Sequence, residues 1–201
     1  MKKNVGIYLF NDAEVLDFAG PFEVFSVSSE LQNHSLFNVF TFAEKSGIVK
    51  AVNGLQVKPD YDFSNCPDID ILCIPGGDGS KAVIANATVI SFLSSKVATA
   101  DIAFSVCSGA RVLAKLGLLD GLNYTTHHQV MPDLQKLAPT AQLDKNARFT
   151  DNGKILSAGG ISAGIDLSLY LVEKLCGKQV SDTTRIYMEY GDWKKLIKPS
   201  P

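Results

Sequence analysis

The sequence predicts an α/β domain, a mostly parallel sheet with helices on both faces. Three observations carry this expectation. Short apolar runs alternate with segments of helical period along the chain. Runs such as Val5–Phe10 show no polar residue at every second position, as strands covered on both faces do not. Several of them end in tight glycine-bearing turns that lead into a helix.

Val5–Phe10 is the first such run, and Pro21–Leu31 follows with helical spacing, Pro21 suiting a first helical turn. Phe37–Phe42 reads as the second strand. Ile48–Val52 and Leu55–Lys58 flank Asn53-Gly54, the dipeptide that favours a two-residue hairpin turn. Ile69–Ile74 is a buried strand ended by Pro75-Gly76-Gly77-Asp78-Gly79, and Ala87–Ala98 is a helix. Ile102–Val106 is a strand, and Ser108–Leu116 a helix stopped by Gly117. Asn123–Thr126 is a short strand before a helix over His128–Leu137. Ala147–Thr150 and Lys154–Ser157 flank Asn152-Gly153, a second hairpin. Ile161–Leu175 is apolar nearly all round, which marks a buried helix; Gly177 ends it. Val180–Tyr190 is a last helix. Residues 1–193 read as one α/β domain and 194–201 as a C-terminal tail.

The 201 residues are 46 % hydrophobic and 20 % charged, as in ordinary globular domains, with a formal net charge of −2. No basic run exceeds two residues before the tail, so neither nucleic acid nor an anionic membrane is expected as a partner. No apolar stretch approaches the roughly 20 residues that span a bilayer. The N-terminal run is followed at once by Asn11, Asp12 and Glu14 with no small-residue cleavage site, so it reads as a strand rather than a leader, and the expected compartment is the cytoplasm. Cys66, Cys73, Cys107 and Cys176 form no C-x-x-C pair, which argues against a zinc site and against a disulfide framework. No metal and no cofactor is expected.

In sheets of this kind ligands bind beyond the carboxyl ends of the strands. The segments after Phe10, Ile74 and Val106 therefore converge, and the last of them is Cys107-Ser108-Gly109. A strand ends at Val106 and a helix begins near Ser108, with small Ser105 and Gly109 two residues either side of the cysteine. This is the logic of a nucleophile elbow. Backbone N–H groups at the helix start favour a thiolate, so a lowered thiol pKa is expected. Gly76 and Gly77 either supply N–H donors to developing charge or serve a turn that needs positive φ. Asp17 either faces inward with a raised pKa and a proton to give or caps the helix containing Pro21. His127 either approaches Cys107 or begins a helix in solvent. Gly160-Ile161-Ser162-Ala163-Gly164 has the letters of a serine elbow, but that arrangement needs a later histidine. All three histidines precede Ser162, so Gly160 and Ser162 read as close strand–helix packing beside the pocket.

Taken together, Leu16-Asp17-Phe18-Ala19-Gly20-Pro21, Ile74-Pro75-Gly76-Gly77, Val106-Cys107-Ser108-Gly109, Leu116–Gly121, Thr125-Thr126-His127 and Ala158–Asp166 resemble the ThiJ/PfpI superfamily over about residues 4–190. These proteins are flavodoxin-like relatives of the class I glutamine amidotransferases. The nearest likeness is to the isocyanide hydratase branch and to the sensing domain of some AraC-type regulators. The chain ends before a helix-turn-helix domain, which favours the free-standing enzyme. The resemblance implies that Cys107 is the nucleophile and that Asp17 hydrogen-bonds it and exchanges protons. It implies a small-molecule substrate, no cofactor and a homodimer. Ser108 stands where hydratases often carry threonine, and His128 where tryptophan often follows the first histidine, so an altered pocket is expected. Proteolytic relatives carry a histidine directly after the cysteine and glutaminase relatives a late histidine and glutamate; this chain has neither. The implied activity is conversion of an isocyanide to an N-substituted formamide. The alternatives are a glyoxalase or deglycase acting on 2-oxoaldehydes, and a ligand or oxidative-stress sensor.

Overall fold

The computed structural model describes residues 2–197. In chain order the elements are β1 (Lys3–Tyr8), α1 (Val15–Glu30), β2 (Phe37–Ala43), β3 (Val49–Lys50), β4 (Gln56–Val57), β5 (Tyr61–Asp62), β6 (Ile71–Ile74), α2 (Ser80–Ala85), α3 (Ala87–Thr99), β7 (Ile102–Val106), α4 (Ala110–Lys115), β8 (Asn123–Tyr124), α5 (Met131–Leu137), β9 (Gln142–Leu143), β10 (Phe149–Asp151), β11 (Ile155–Ala158), α6 (Ala163–Cys176) and α7 (Lys178–Tyr187).

Seven strands form the main sheet in the order β10-β11-β7-β6-β1-β2-β5. Every pairing is parallel except β10 with β11. Every residue of β6, β7 and β11 is buried, which explains why those runs carry no alternation. The step from β1 to β2 runs one way across the sheet, and the steps from β6 to β7 and from β7 to β11 run the other. Right-handed crossovers then place α1 on one face and α2, α3 and α4 on the opposite one. The observed packing agrees: α1 lies on α6 and α7, and α2 lies on α3 and α4. The direction reverses between β1 and β6, and a crevice opens at the carboxyl ends of these strands.

The flavodoxin-like α/β expectation holds, and both asparagine–glycine hairpins form. At the first, Asn53 and Gly54 have φ of 61° and 90°, as its turn requires. One expectation fails: the first helix starts six residues before Pro21. The helix runs on through Pro21, which withholds only the bond to the Asp17 carbonyl, and the buried Cys73 thiol meets that oxygen at 4.0 Å instead. Asp17 is therefore inside the first turn and is not the cap. Helix α2 was not expected. The expected tail is described only to Ile197, with one 3-10 turn over Trp193–Leu196; its last four residues lie outside the described residues. Among the described residues no helix is long and apolar enough to cross a membrane. All four cysteines are free.

Candidate active site

Cys107 sits at the turn between β7 and α4 with φ +55°, a left-handed conformation that costs a non-glycine residue roughly 1–2 kcal/mol. Its neighbours hold it there. Its N–H donates to the Gly159 carbonyl (2.9 Å), and its carbonyl accepts from the Thr126 hydroxyl (2.7 Å). A Cβ on Gly109 would lie 2.2 Å from the Ile74 carbonyl oxygen, so only glycine lets α4 start this close to β6. The turn is thus the strand-to-helix elbow that the small flanking residues suggested.

Asp17 reaches the same point from α1 and is fully buried. Its Oδ2 accepts from the Gly76 N–H at 2.8 Å. Oδ1 is buried with no nitrogen or oxygen partner. Burial pushes the carboxyl up to about 7, with the Glu14 charge adding to the rise, while the Gly76 N–H and a hydrogen bond with Cys107 oppose it. The Cys107 thiol is also pushed up, to about 11, by burial first and then by the Asp17 charge; the N–H groups of Ser108 and Ile161 and the Ser108 side chain pull the other way. The lowered thiol pKa expected from the helix start is therefore not what this site produces. With Cys107 only 7 % exposed and a carboxyl beside it, lost hydration and like charge outweigh the N–H donors. Both groups are reluctant to be charged together, so the pair keeps one proton between them over a wide range.

Gly76 and Gly77 adjoin the cysteine, but their N–H groups are committed. Gly76 serves Asp17, and Gly77 donates to Ser108 Oγ (2.8 Å), which in turn donates to the Gly77 carbonyl (3.1 Å). The donors turned toward the sulfur belong instead to Ser108 and Ile161. Ile161 has φ +43°, rare for a β-branched residue, and this strain aims its N–H at the cysteine. Its role was invisible in the sequence, where it looked like the first apolar residue of a helix.

His127 makes no hydrogen bond to Cys107. Its ring lines the same cavity, packs on His128 with centroids 4.3 Å apart, and accepts the Gln129 N–H on Nδ1 (3.4 Å), leaving the proton on Nε2. Burial and the neighbouring His128 lower its pKa, so it is a neutral wall at physiological pH. A Cβ on Gly160 would lie 2.4 Å from His127 Cδ2, so Gly160 makes room for the ring. Ser162 stays at the start of α6, where it accepts from Arg148 (2.9 Å) and has no histidine behind it. Sequence reasoning missed Arg111, one helical turn beyond Cys107. Its guanidinium is buried beside the cavity, donating to Ser80 (3.0 Å) and Asp133 (2.9 Å). A charged residue among Ala110, Val112, Leu113 and Ala114, one turn after the cysteine, was the available signal.

The cavity over Cys107 measures about 320 Å³, and Glu14, Ser108, Arg111, His127 and Ile161 share its wall. Among the described residues no group of three or more histidine, cysteine or acidic side chains is placed to hold a metal ion. The arrangement offers a soft nucleophile, a protonated carboxyl next to it, and two N–H donors, in a space sized for a small molecule.

The DJ-1/PfpI family matches this chain over residues 3–174. Isonitrile hydratase of Pseudomonas putida is 32 % identical over all of this chain and 84 % of its own length. The HTH-type transcriptional regulator GbdR of Pseudomonas aeruginosa is 26 % identical over 89 % of this chain but only 48 % of its own length. Among solved structures, a ThiJ/PfpI family protein from Pseudomonas syringae superposes over the whole chain and 77 % of its own, with TM-score 0.84 and 25 % identity. Drosophila melanogaster DJ-1beta, at 21 % identity, has the same fold with TM-score 0.80, over 95 % of this chain and all of its own. The chain belongs to the DJ-1/PfpI family.

Proposed function

We propose that this protein hydrates an isocyanide to an N-substituted formamide, with Cys107 as nucleophile and Asp17 as the group that gives and retakes the proton. The observation that supports it most is the pairing of a cysteine on a strained elbow with a buried carboxyl whose pKa lies near neutrality. A proton moved from the thiol to Asp17 yields a thiolate and a neutral acid side by side. The thiolate attacks the terminal isocyanide carbon, and Asp17 protonates that carbon to give a thioimidate. Water then adds, one hydrogen going to nitrogen and the hydroxyl to carbon. Asp17 takes the hydroxyl proton as the formamide carbonyl forms and the thiolate leaves, which restores both groups. The covalent route splits one hard step into easier ones, and the Ser108 and Ile161 N–H groups stabilise the sulfur while it carries charge. The likeness to isonitrile hydratase, over all of this chain and 84 % of that protein, supports the choice of substrate class. A homodimer in the cytoplasm, with its thiols reduced, completes this reading.

The reactive form carries one proton on the pair. Activity toward cyclohexyl isocyanide is therefore expected to rise with pH through about 7 and to fall above about 11. Cys107→Ala should abolish formamide formation, and turnover that survives it defeats the mechanism. The likeness to GbdR supports a second reading, a non-catalytic ligand-sensing domain. That reading gains if isocyanides and methylglyoxal are both inert with the wild type while mild peroxide oxidises Cys107 selectively.

A further inference from the structure

The Cys107 cavity adjoins a second and larger one, of about 430 Å³. The two share His127, His128 and Ile161 in their walls. Their charges differ. Glu14 and Asp78 line the first, along with Arg111, whose charge is paired with Asp133; the second is lined by Lys145 and Arg148 and, among the described residues, by no aspartate or glutamate. Arg148 is held in place by its neighbours. Its Nε donates to Asp166 (2.6 Å), which lies outside the lining, and its Nη2 to Ser162 Oγ (2.9 Å), which belongs to it; the Tyr190 hydroxyl also bonds the guanidinium. Lys145 is exposed and joins none of the ion pairs formed there.

Apart from the His128 ring, the remaining polar side chains of this wall are donors or are already used. Ser162 accepts from Arg148, so its own O–H is left to donate. His127 carries its proton on Nε2 because Nδ1 accepts from Gln129. The Thr125 and Thr126 hydroxyls give their protons to the carbonyls of Ala147 (3.3 Å) and Cys107 (2.7 Å). The positive end of α6 begins at the same wall. A cation here would meet Lys145 and Arg148 directly, and an apolar tail would leave their donors facing no partner. A planar anion would satisfy them, since guanidinium and ammonium donors suit carboxylate oxygens.

We propose that this second cavity is an anion subsite, which takes a carboxylate carried by the same molecule whose reactive carbon meets Cys107. The preferred substrates are then acid-bearing isocyanides. The identity of the reacting carbon rests on the hydratase reading; the binding of the anion does not.

Two arms separate these claims. In the first, Cys107→Ser protein is titrated calorimetrically with 4-formamidobenzoate and with N-(4-methylphenyl)formamide. Charge-assisted hydrogen bonds should make the carboxylate bind about ten-fold tighter or better. Lys145→Glu, at an exposed position without a partner, should fold normally and erase that preference; Arg148→Met should weaken it and Arg148→Lys should restore part of it. In the second arm, 4-isocyanobenzoate and 4-methylphenyl isocyanide are compared as substrates of the wild type, the acid being expected to show the lower KM. Equal affinity of the two formamides overturns the subsite and leaves isocyanide hydration standing. Tight carboxylate binding with neither isocyanide turned over removes the hydration reading and keeps the subsite for another reaction.

Discussion

Cys107 adopts a backbone conformation that its side chain disfavours, and the cost is measurable by substitution. Cys107→Ala keeps the Cβ and the positive φ, whereas Cys107→Gly relieves them. Both should be inactive, but the glycine variant should be more stable by about 1 kcal/mol in denaturant melts. If alanine proves the more stable, the turn is not strained in solution. Asp17 makes a second demand on stability. Its folded pKa of about 7 lies above its unfolded value, so between about 4 and 7 the native state keeps a proton that the unfolded chain has lost. The Asp17 contribution to stability therefore falls as pH rises through that window and levels off above it. Asp17→Asn removes the slope, and at pH 8 it should stabilise the fold by up to roughly 4 kcal/mol while removing activity; at pH 4 the two proteins should melt alike. Ser105 offers a milder case. Its hydroxyl is buried two residues before the cysteine with no partner, so Ser105→Ala is expected to gain about 1 kcal/mol. Asp17 and Cys107 were legible to different degrees. Asp17 stood between apolar neighbours, which hinted at an inward carboxyl, but the rise in the thiol's own pKa depends on a burial that no local pattern reports.

At the scale of elements, the elbow depends on how closely α4 approaches the sheet. A Cβ at Gly109 would strike the backbone oxygens of Ile74 and Pro75, neither of which can swing aside. Gly109→Ala should therefore cost more than about 3 kcal/mol and depress the melting temperature sharply. A Cβ at Gly160 meets only the His127 ring, a side chain with room to rotate. Gly160→Ala should be the cheaper of the two, with its cost falling on the cavity wall rather than on the fold. A ranking in the opposite order would mean that the elbow relaxes more readily than the close approach to β6 suggests. The strand–turn–helix at Cys107 and both asparagine–glycine hairpins were readable because each depends on residues a few positions apart. The start of α1 was not, because Pro21 was read as a helix beginning. Its lost hydrogen bond is absorbed inside the helix at the Asp17 carbonyl, and that tolerance comes from tertiary packing.

For the whole molecule, the parallel sheet decides which groups meet. Residues 14, 17, 76, 107 and 161 are distant in sequence, yet each follows the carboxyl end of a neighbouring strand, and strand order alone brings them together. The convergence of the first three loops could be read from the alternation of elements. The basic second cavity could not, since Lys145 and Arg148 reach it from the stretch between β9 and β10, and the hairpin read over Ala147–Ser157 says nothing of a cavity beside it. The same architecture grades the four thiols by access. Cys73 lies in the centre of β6 with no exposure, covered by helices on both faces, so an alkylating reagent can reach it only when the sheet comes apart. Cys107, although nearly as buried by area, opens onto a cavity and needs no unfolding. Iodoacetamide labelling followed by mass spectrometry should therefore modify Cys107 under native conditions, faster as pH rises toward its raised pKa. Labelling of Cys73 should instead follow the global unfolding free energy measured in denaturant. Modification of Cys73 in the native protein at a rate insensitive to denaturant would mean that β6 opens locally, and the rigid placement of Gly76, Asp17 and Cys107 would have to be abandoned with it.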